Sequence, residues 1–276
     1  MFNIEKAVRE RYSVRNYDNK RILTDDIKNK IIEFADGLEN PLGPKIRIQW
    51  IEKSASSKGE KLGTYGIIKG ASTYIGVTVP DEEYAPEAVG YDFEKIVLYA
   101  QSLGLGTCWL GGTFNRNGFT KAMDIKENEL FPILSPIGYP AGKLSLTEKI
   151  MRKAVKADDR LPWDNMFFLN DFNTPLHEGD AGELNYPLEM VRLAPSAVNR
   201  QPWRIVVCDG CVHFYEKHFS PVEPGSVDMH RIDVGIAICH FHLAAEEQGM
   251  TGYFERKDPE LDFDENLSYI ATWVKK

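Results

Sequence analysis

Two stretches of this 276-residue chain repeat each other. GYDFEKIVLYAQSLGL (90–105) aligns with GIAICHFHLAAEEQGM (235–250), an offset of 235 − 90 = 145 residues. Gly90 meets Gly235, Phe93 meets Ile238, Ile96 meets Phe241, Leu98 meets Leu243, Ala100 meets Ala245 and Gly104 meets Gly249. Phe93, Ile96, Val97, Ala100 and Leu103 recur at helical spacing, so the first copy reads as an amphipathic helix stopped by Gly104. Around each copy the order of segments agrees: helix, loop, strand, β segment, amphipathic helix. A matching order, more than one matching helix, points to internal duplication. Two fused similar units would mimic a two-fold dimer inside one chain.

The remaining segments fit that plan. Residues 3–10 read as a short helix with Asn3 as cap, followed by the extended piece RYSVRNY. Residues 24–38 carry Ile27, Ile31, Phe34 and Leu38 at helical spacing. KIRIQWIE (45–52), STYIGVTV (72–79) and ILSPIGYP (133–140) read as strands, and LTEKIMRKAVKADDR as a basic helical stretch. The polar, turn-rich NDFNTPLHEGDAGE (170–183) is the expected linker, which sets the domains at 1–169 and a shorter 170–276. Beyond it come a helix at 186–194, the strand RIVVC with a hairpin partner VHFYEKH, a helix near 233–249 and the closing segments YFERKDP and SYIATWVKK.

Bulk chemistry narrows the function. Hydrophobic residues at 43% and charged residues at 27% suit a globular protein and not a disordered one. A net charge of −8 and a pI near 5.4 argue against a general nucleic-acid groove, which needs concentrated basic surface. The opening MFNIEKAVRERYSVRNY lacks the apolar core of a signal peptide, and no stretch approaches the roughly 18 apolar residues of a membrane helix. The expectation is a soluble, cytoplasmic protein without nucleic-acid or membrane partners. Cys208-Asp-Gly-Cys211 lies between two β-rich runs, so a two-residue hairpin turn explains it better than a metal or redox motif. His240 and His242, two apart on a helix, share no face and make a poor metal pair. No metal is expected.

Three segments carry candidate chemistry. In RYSVR (11–15), alternation of an extended chain points Arg11, Ser13 and Arg15 to one side. Two guanidiniums and a hydroxyl suit a phosphate and its polyol chain; a solvated basic edge after a helix end is the bland alternative. PSAVNRQPW (195–203) gathers Ser196, Asn199 and Gln201 before Pro202-Trp203. Its hydroxyl and two carboxamides match the alternating acceptors and donor of a flavin edge, and turn chemistry alone requires neither the glutamine nor the tryptophan. In GLGTCWLGG (104–112) the glycines follow a helix, the reverse of a dinucleotide loop. Gly111 and Gly112 suit either close approach of backbone to a planar ligand or an ordinary helix stop. Lys149, Arg152, Lys153, Lys156 and Arg160 form a basic stretch, mostly a solvated face with one or two members available to a phosphate.

These segments resemble known motifs. RYSVR resembles the "RRSxR" opening of the nitroreductase-like flavoproteins, LAPSAVNRQPWRIVV their "APSxxNxQPWxFxVV" segment, and AQSLGLGTCWLGGTF their "AxxxGLGxxW" helix-to-loop signature. IGYP and RLPWDNMFF resemble the family's end of domain, so the likeness spans nearly the whole chain. One departure stands out. The family keeps these motifs within one subunit, whereas here the first and third lie in the N-terminal half and the second lies beyond residue 190. FADGLENPLG stands where the first half should have its proline-serine loop, and the second half has no arginine-serine opening.

The resemblance implies an α+β fold of two tandem repeats, each a central, mostly antiparallel sheet flanked by helices, forming an intramolecular pseudo-dimer. In the family each FMN sits at a dimer interface, so a fused pair with one half-site per repeat implies one FMN per chain and a monomer or weak homodimer. By the same resemblance Arg11 and Ser13, next to Tyr12, hold the phosphate and ribityl chain, with Arg152 or Arg160 adding to them. Arg15 lies toward the flavin N1–O2 edge. Pro195, Ser196, Ala197, Asn199 and Gln201 line the ring, and Trp109, Leu110 and the Gly111–Gly112 backbone approach N5. The implied activity is hydride transfer from NADH or NADPH through FMN to a small acceptor, a nitroaromatic or quinone, in ping-pong fashion. FMN carries that chemistry, so no catalytic side chain is expected. Alternatives are an FMN-binding or sequestering protein without turnover, or flavin fragmentation or reductive dehalogenation on the same scaffold.

Overall fold

The computed structural model describes residues 2–52, 63–223, 225–262 and 264–276. The chain forms two compact units: Met1–Glu39, Pro44–Ala85 and Asp92–Ala157 make the first, and Asn40–Gly43, Pro86–Tyr91 and Asp158–Lys276 the second.

In the first unit, α1 (Ile4–Glu10) begins where the Asn3 side chain accepts the Lys6 amide, and α2 (Asp25–Asp36) is capped in the same way by Thr24. Four strands follow in chain order: β1 (Arg47–Glu52), β2 (Thr73–Pro80), the short β3 (Gly106–Thr107) and β4 (Glu129–Gly138). They form one sheet in the order β1-β2-β4-β3, every pair antiparallel. Helix α3 (Ala85–Ser102) separates β2 from β3, α4 (Arg116–Ala122) precedes β4, and α5 (Leu146–Ala154) follows it. The RYSVRNY strip lies alongside this sheet through isolated bridges, Ser13 with Thr107, Asn16 with Lys69 and Tyr17 with Pro140. Val14, Tyr17, Ile51, Tyr74, Phe114, Phe119, Phe131 and Leu134 are buried together beneath it.

In the second unit, α6 (Asn185–Leu193) leads to β6 (Trp203–Cys208) and β7 (Cys211–Lys217), joined by Asp209-Gly210. Both turn residues have positive φ, 49° and 76°, as a type I′ hairpin requires, and Cys208 pairs with Cys211. All four cysteines are free thiols. After α7 (Met229–Glu247) come β8 (Gly252–Glu255) and β9 (Leu267–Lys275). The sheet order is β5-β6-β7-β9-β8. Here β5 (Phe167–Leu169) lies parallel to β6, and the other pairs are antiparallel. Setting β5 aside, the second sheet repeats the strand order of the first.

One expectation is revised. The spacing predicts an amphipathic α3, yet that helix is buried on nearly every side, including the acidic Glu87, Asp92 and Glu94. Helix α7 is likewise buried almost all round, with Asp233 and His240 among its buried residues. Apolar periodicity reports one packed face; only polar residues satisfied inside the protein allow the other to be packed as well. Among the described residues, no helix is long and apolar enough to cross a membrane.

Candidate functional site

The arginine-serine strip is held in the first unit by backbone pairing. Val14 N–H donates to the Thr107 carbonyl at 2.9 Å, and Tyr17 Oη–H donates to the Val14 carbonyl at 2.9 Å. Arg15 N–H donates to Glu148 Oε1 at 2.8 Å, and the Glu148 backbone amide in turn bonds the Ser145 hydroxyl in a capping box at the start of α5. That contact ties the strip to the helix that bears Arg152.

Three cations therefore meet in one region. The Arg152 guanidinium lies 5.8 Å from the centroid of the Tyr12 ring and acts electrostatically on Arg11. Burial lowers the Arg11 pKa, and Glu94 and Cys108 counter that pull. Arg11 and Arg15 both act on the Cys108 thiol, which burial pushes up and a hydrogen bond with Ser13 pulls down. Arg11, Ser13 and Arg15 thus all act on one neighbour, Cys108. Arg11 Nε and Arg15 Nε are buried and have no hydrogen-bond partner among the described residues. Buried guanidinium donors without acceptors are costly, and an anion with several oxygens is the group that would satisfy them. The residues present fit the phosphate of FMN on this ground.

The glycine segment adds a wall to the same unit. Trp109 Nε1 donates to Glu94 Oε2 at 3.0 Å and its ring stands edge-on to Phe93, centroids 4.9 Å apart. Leu110 pairs with Leu134, and the Gly111 carbonyl accepts Arg116 Nη2 at 2.9 Å. A Cβ at Gly112 would meet nothing within 4 Å, so no protein atom demands a glycine there.

The proline-serine loop, in the second unit, is bound to its surroundings by its own polar atoms. Ala197 N–H donates to both Asp233 oxygens at 3.0 Å, and Gln201 N–H donates to Ser196 Oγ at 2.9 Å. Gln201 is buried, its Oε1 accepting Leu161 N–H at 3.0 Å and its Nε2 donating to the Asn199 carbonyl at 3.3 Å. Asn199 Nδ2 donates to the Asp159 carbonyl at 3.0 Å, and Arg160 Nη2 to the Leu193 carbonyl at 3.2 Å. Val198, Asn199 and Gln201 all have positive φ, 45°, 59° and 50°. For β-branched Val198, which is 65% exposed, that conformation is strained. Strain of this kind gathers at functional loops.

Sequence reasoning missed the residues that hold these two segments. Glu148 was readable, because Ser145-x-x-Glu148 has the spacing of a capping box. Asp233 and Glu94 also left a trace, each an acid inside an apolar helical run. Asp159 and Leu161 contribute only backbone and left none.

Two sheets of this order with buried helices, and an arginine-rich strip beside one of them, define an α+β protein of nitroreductase type. The chain belongs to the family described as "Putative TM nitroreductase", whose sequence profile matches residues 3–245. Among solved structures it is similar to a nitroreductase from Thermotoga maritima MSB8, itself described as putative. That match has 22% identity and a TM-score of 0.57, over 99% of this chain and 93% of that one. A nitroreductase family protein from Clostridium difficile 630 matches at 19% identity and TM-score 0.44, over 60% of this chain and 96% of that one. A nitroreductase with bound FMN from Bacteroides fragilis NCTC 9343 matches at 24% and 0.41, over 52% and 92%. No curated protein matches the chain.

Proposed function

We propose that the chain holds one FMN and acts as an oxidoreductase between NADH or NADPH and a small nitroaromatic or quinone acceptor. The observation that carries this reading is the pair of buried guanidinium nitrogens, Arg11 Nε and Arg15 Nε, without acceptors beside Arg152. When bound, FMN would supply the hydride relay between donor and acceptor.

The chain's own residues would bind and orient it. Arg11, Ser13 and Arg152 would take the phosphate and ribityl chain, with Tyr12 shaping the Arg152 side and Arg160 adding positive charge. Arg15 would stabilise negative charge on the pyrimidine edge. Trp109, Leu110 and the Gly111–Gly112 backbone would line the reactive face, since the space at Gly112 is open. By the resemblance of LAPSAVNRQPWRIVV to the family's proline-serine segment, Pro195, Ser196, Ala197 and Asn199 would serve the ring. Gln201, whose amide is engaged by Leu161 and Asn199, would do so by holding the loop.

Duplication underlies the single site. The reading of two repeats draws support from the common strand order and from helices α3 and α7, which coincide at the 145-residue offset. Gly104 and Gly249 end them with φ of 75° and 74°. The decisive measurement is the visible spectrum and flavin-to-protein ratio after purification and reconstitution, followed by NAD(P)H oxidation with nitroaromatic and quinone acceptors. One FMN per chain with ping-pong turnover is expected. Colourless protein after reconstitution, or a ratio near two, overturns the reading.

A further inference from the structure

Strand β7 ends in Glu216 and Lys217, and His218 follows directly. Glu216 is 1% exposed, and its Oε1 takes no hydrogen bond among the described residues. His218 Nδ1 lies 3.2 Å from that oxygen, while its Nε2 is bonded to Ser268 Oγ at 2.7 Å. Ten residues on, Asp228 caps α7 by accepting His230 N–H at 2.8 Å. Ligand atoms of Glu216, His218 and Asp228 all lie within 4.8 Å of one another.

We propose that Glu216, His218 and Asp228 bind one divalent transition-metal ion, of which Zn2+ is the best fit, and that the ion fastens the end of β7 to the start of α7. The donor set, one imidazole nitrogen and two carboxylates, is that of a borderline cation and leaves a fourth position for water. Ligands about 2.0–2.2 Å from zinc sit about 3.4 Å apart, so the three side chains need only small rotations to close on an ion. The second contact of His218 fits as well. Its Nε2 is engaged by a hydroxyl, which orients the ring and presents Nδ1 to the cluster.

Charge supports the assignment. Two carboxylates crowd here, and Asp233 adds its field to them. Arg231, which acts electrostatically on Glu216, is also engaged by Glu87, with Nε 2.6 Å from Oε1. This site is separate from the flavin reading and does not depend on it. It also differs in chemistry from the Cys208–Cys211 pair, whose ligands would be thiolates.

The test uses the full chain stripped with a chelator and titrated with Zn2+ against a chromophoric competitor, and with Co2+ for its absorption spectrum. One Zn2+ per chain is expected, with a raised Tm and a Co2+ spectrum of nitrogen and oxygen ligation without a thiolate charge-transfer band. Glu216→Gln keeps the volume, and Asp228→Asn keeps the helix cap, so both should fold. Each should weaken Zn2+ binding at least tenfold and cancel the Tm rise, with flavin content unchanged. Absence of Zn2+ binding, unchanged affinity in both variants, or a thiolate band with Co2+ overturns the proposal.

Discussion

Gly90 and Gly235 face each other where α3 meets α7. A Cβ built on Gly90 would lie 2.9 Å from the Gly235 Cα, and one built on Gly235 would lie 2.9 Å from the Glu87 Cα and closer still to the Glu87 carbonyl. These are the residues that the 145-residue repeat aligns, so each helix offers the same bare backbone to its counterpart. Close backbone approach of this kind leaves no room for a Cβ on either helix. In an ordinary helix position Gly→Ala gains up to about 1 kcal/mol. Here the obstructing atoms are backbone and cannot rotate aside, so Gly90→Ala and Gly235→Ala should each destabilise by about 3 kcal/mol. Denaturant unfolding checks this, with Gly112→Ala as the open-space control. A neutral Gly90→Ala would mean that the helices do not approach this closely.

Arg11 separates flavin binding from folding. Its guanidinium is buried, its pKa is lowered by that burial, and its Nε lacks a partner, so the side chain is a burden on the ligand-free protein. Arg11→Met should therefore leave the Tm of the flavin-free protein unchanged or higher. It should weaken FMN by about 10- to 100-fold, the worth of a hydrogen bond to a charged group. Fluorescence titration with FMN reads the affinity. An Arg11→Met protein that binds FMN as tightly as the parent would remove Arg11 from the proposed site.

Acid should act through Glu129. Arg47 grips it twice, Nε to Oε1 at 2.9 Å and Nη2 to Oε2 at 2.5 Å, and Lys126 N–H adds a third bond at 3.0 Å. These bonds, with the Arg47 hydrogen bond foremost, hold the carboxyl down at about 2 from an ordinary 4.5. A lowered folded-state value means that the stabilisation is complete above pH 4.5 and is lost as pH falls towards 2. Solvent around Arg47 reduces its size, leaving about 2 kcal/mol. Glu129→Gln should lower stability by that amount at pH 7 and converge with the parent only as pH falls to about 2, in urea unfolding across pH. Parallel curves at every pH would assign the acid sensitivity elsewhere.

What the sequence disclosed follows from which interactions are local. Asn3 as a cap, the Asp209-Gly210 turn and the spacing of Ile96, Val97 and Ala100 are local rules, and the elements they mark are present. The arginine strip was legible because alternation in an extended chain is also local. The full burial of α3 was not, since Asp92 and Glu94 read as solvent-facing until a tertiary neighbour such as Trp109 is known. The engagement of Gln201 by the Leu161 backbone amide, 40 residues away, has no sequence signal. The Glu216–His218–Asp228 cluster was overlooked for a related reason. Its members come from a strand end and a helix cap, and neither place carries a recognisable ligand spacing.

Val198 supplies the last test. Its φ of 45° and ψ of 27° lie in the left-handed region, where a β-branched side chain clashes with its own backbone. The side chain is 65% exposed, so it returns little by packing. Flanking bonds hold the turn in place, Ala197 N–H to Asp233 on one side and Asn199 N–H to the Ser196 carbonyl at 3.1 Å on the other. A glycine would relax the backbone without disturbing either bond. Val198→Gly should accordingly raise the stability of the flavin-free protein by about 1 kcal/mol. If the strain serves the ring, the same change should weaken FMN binding several-fold, since the loop then samples more conformers. Lower stability in Val198→Gly would show that the valine packs in solution and that the turn stores no strain.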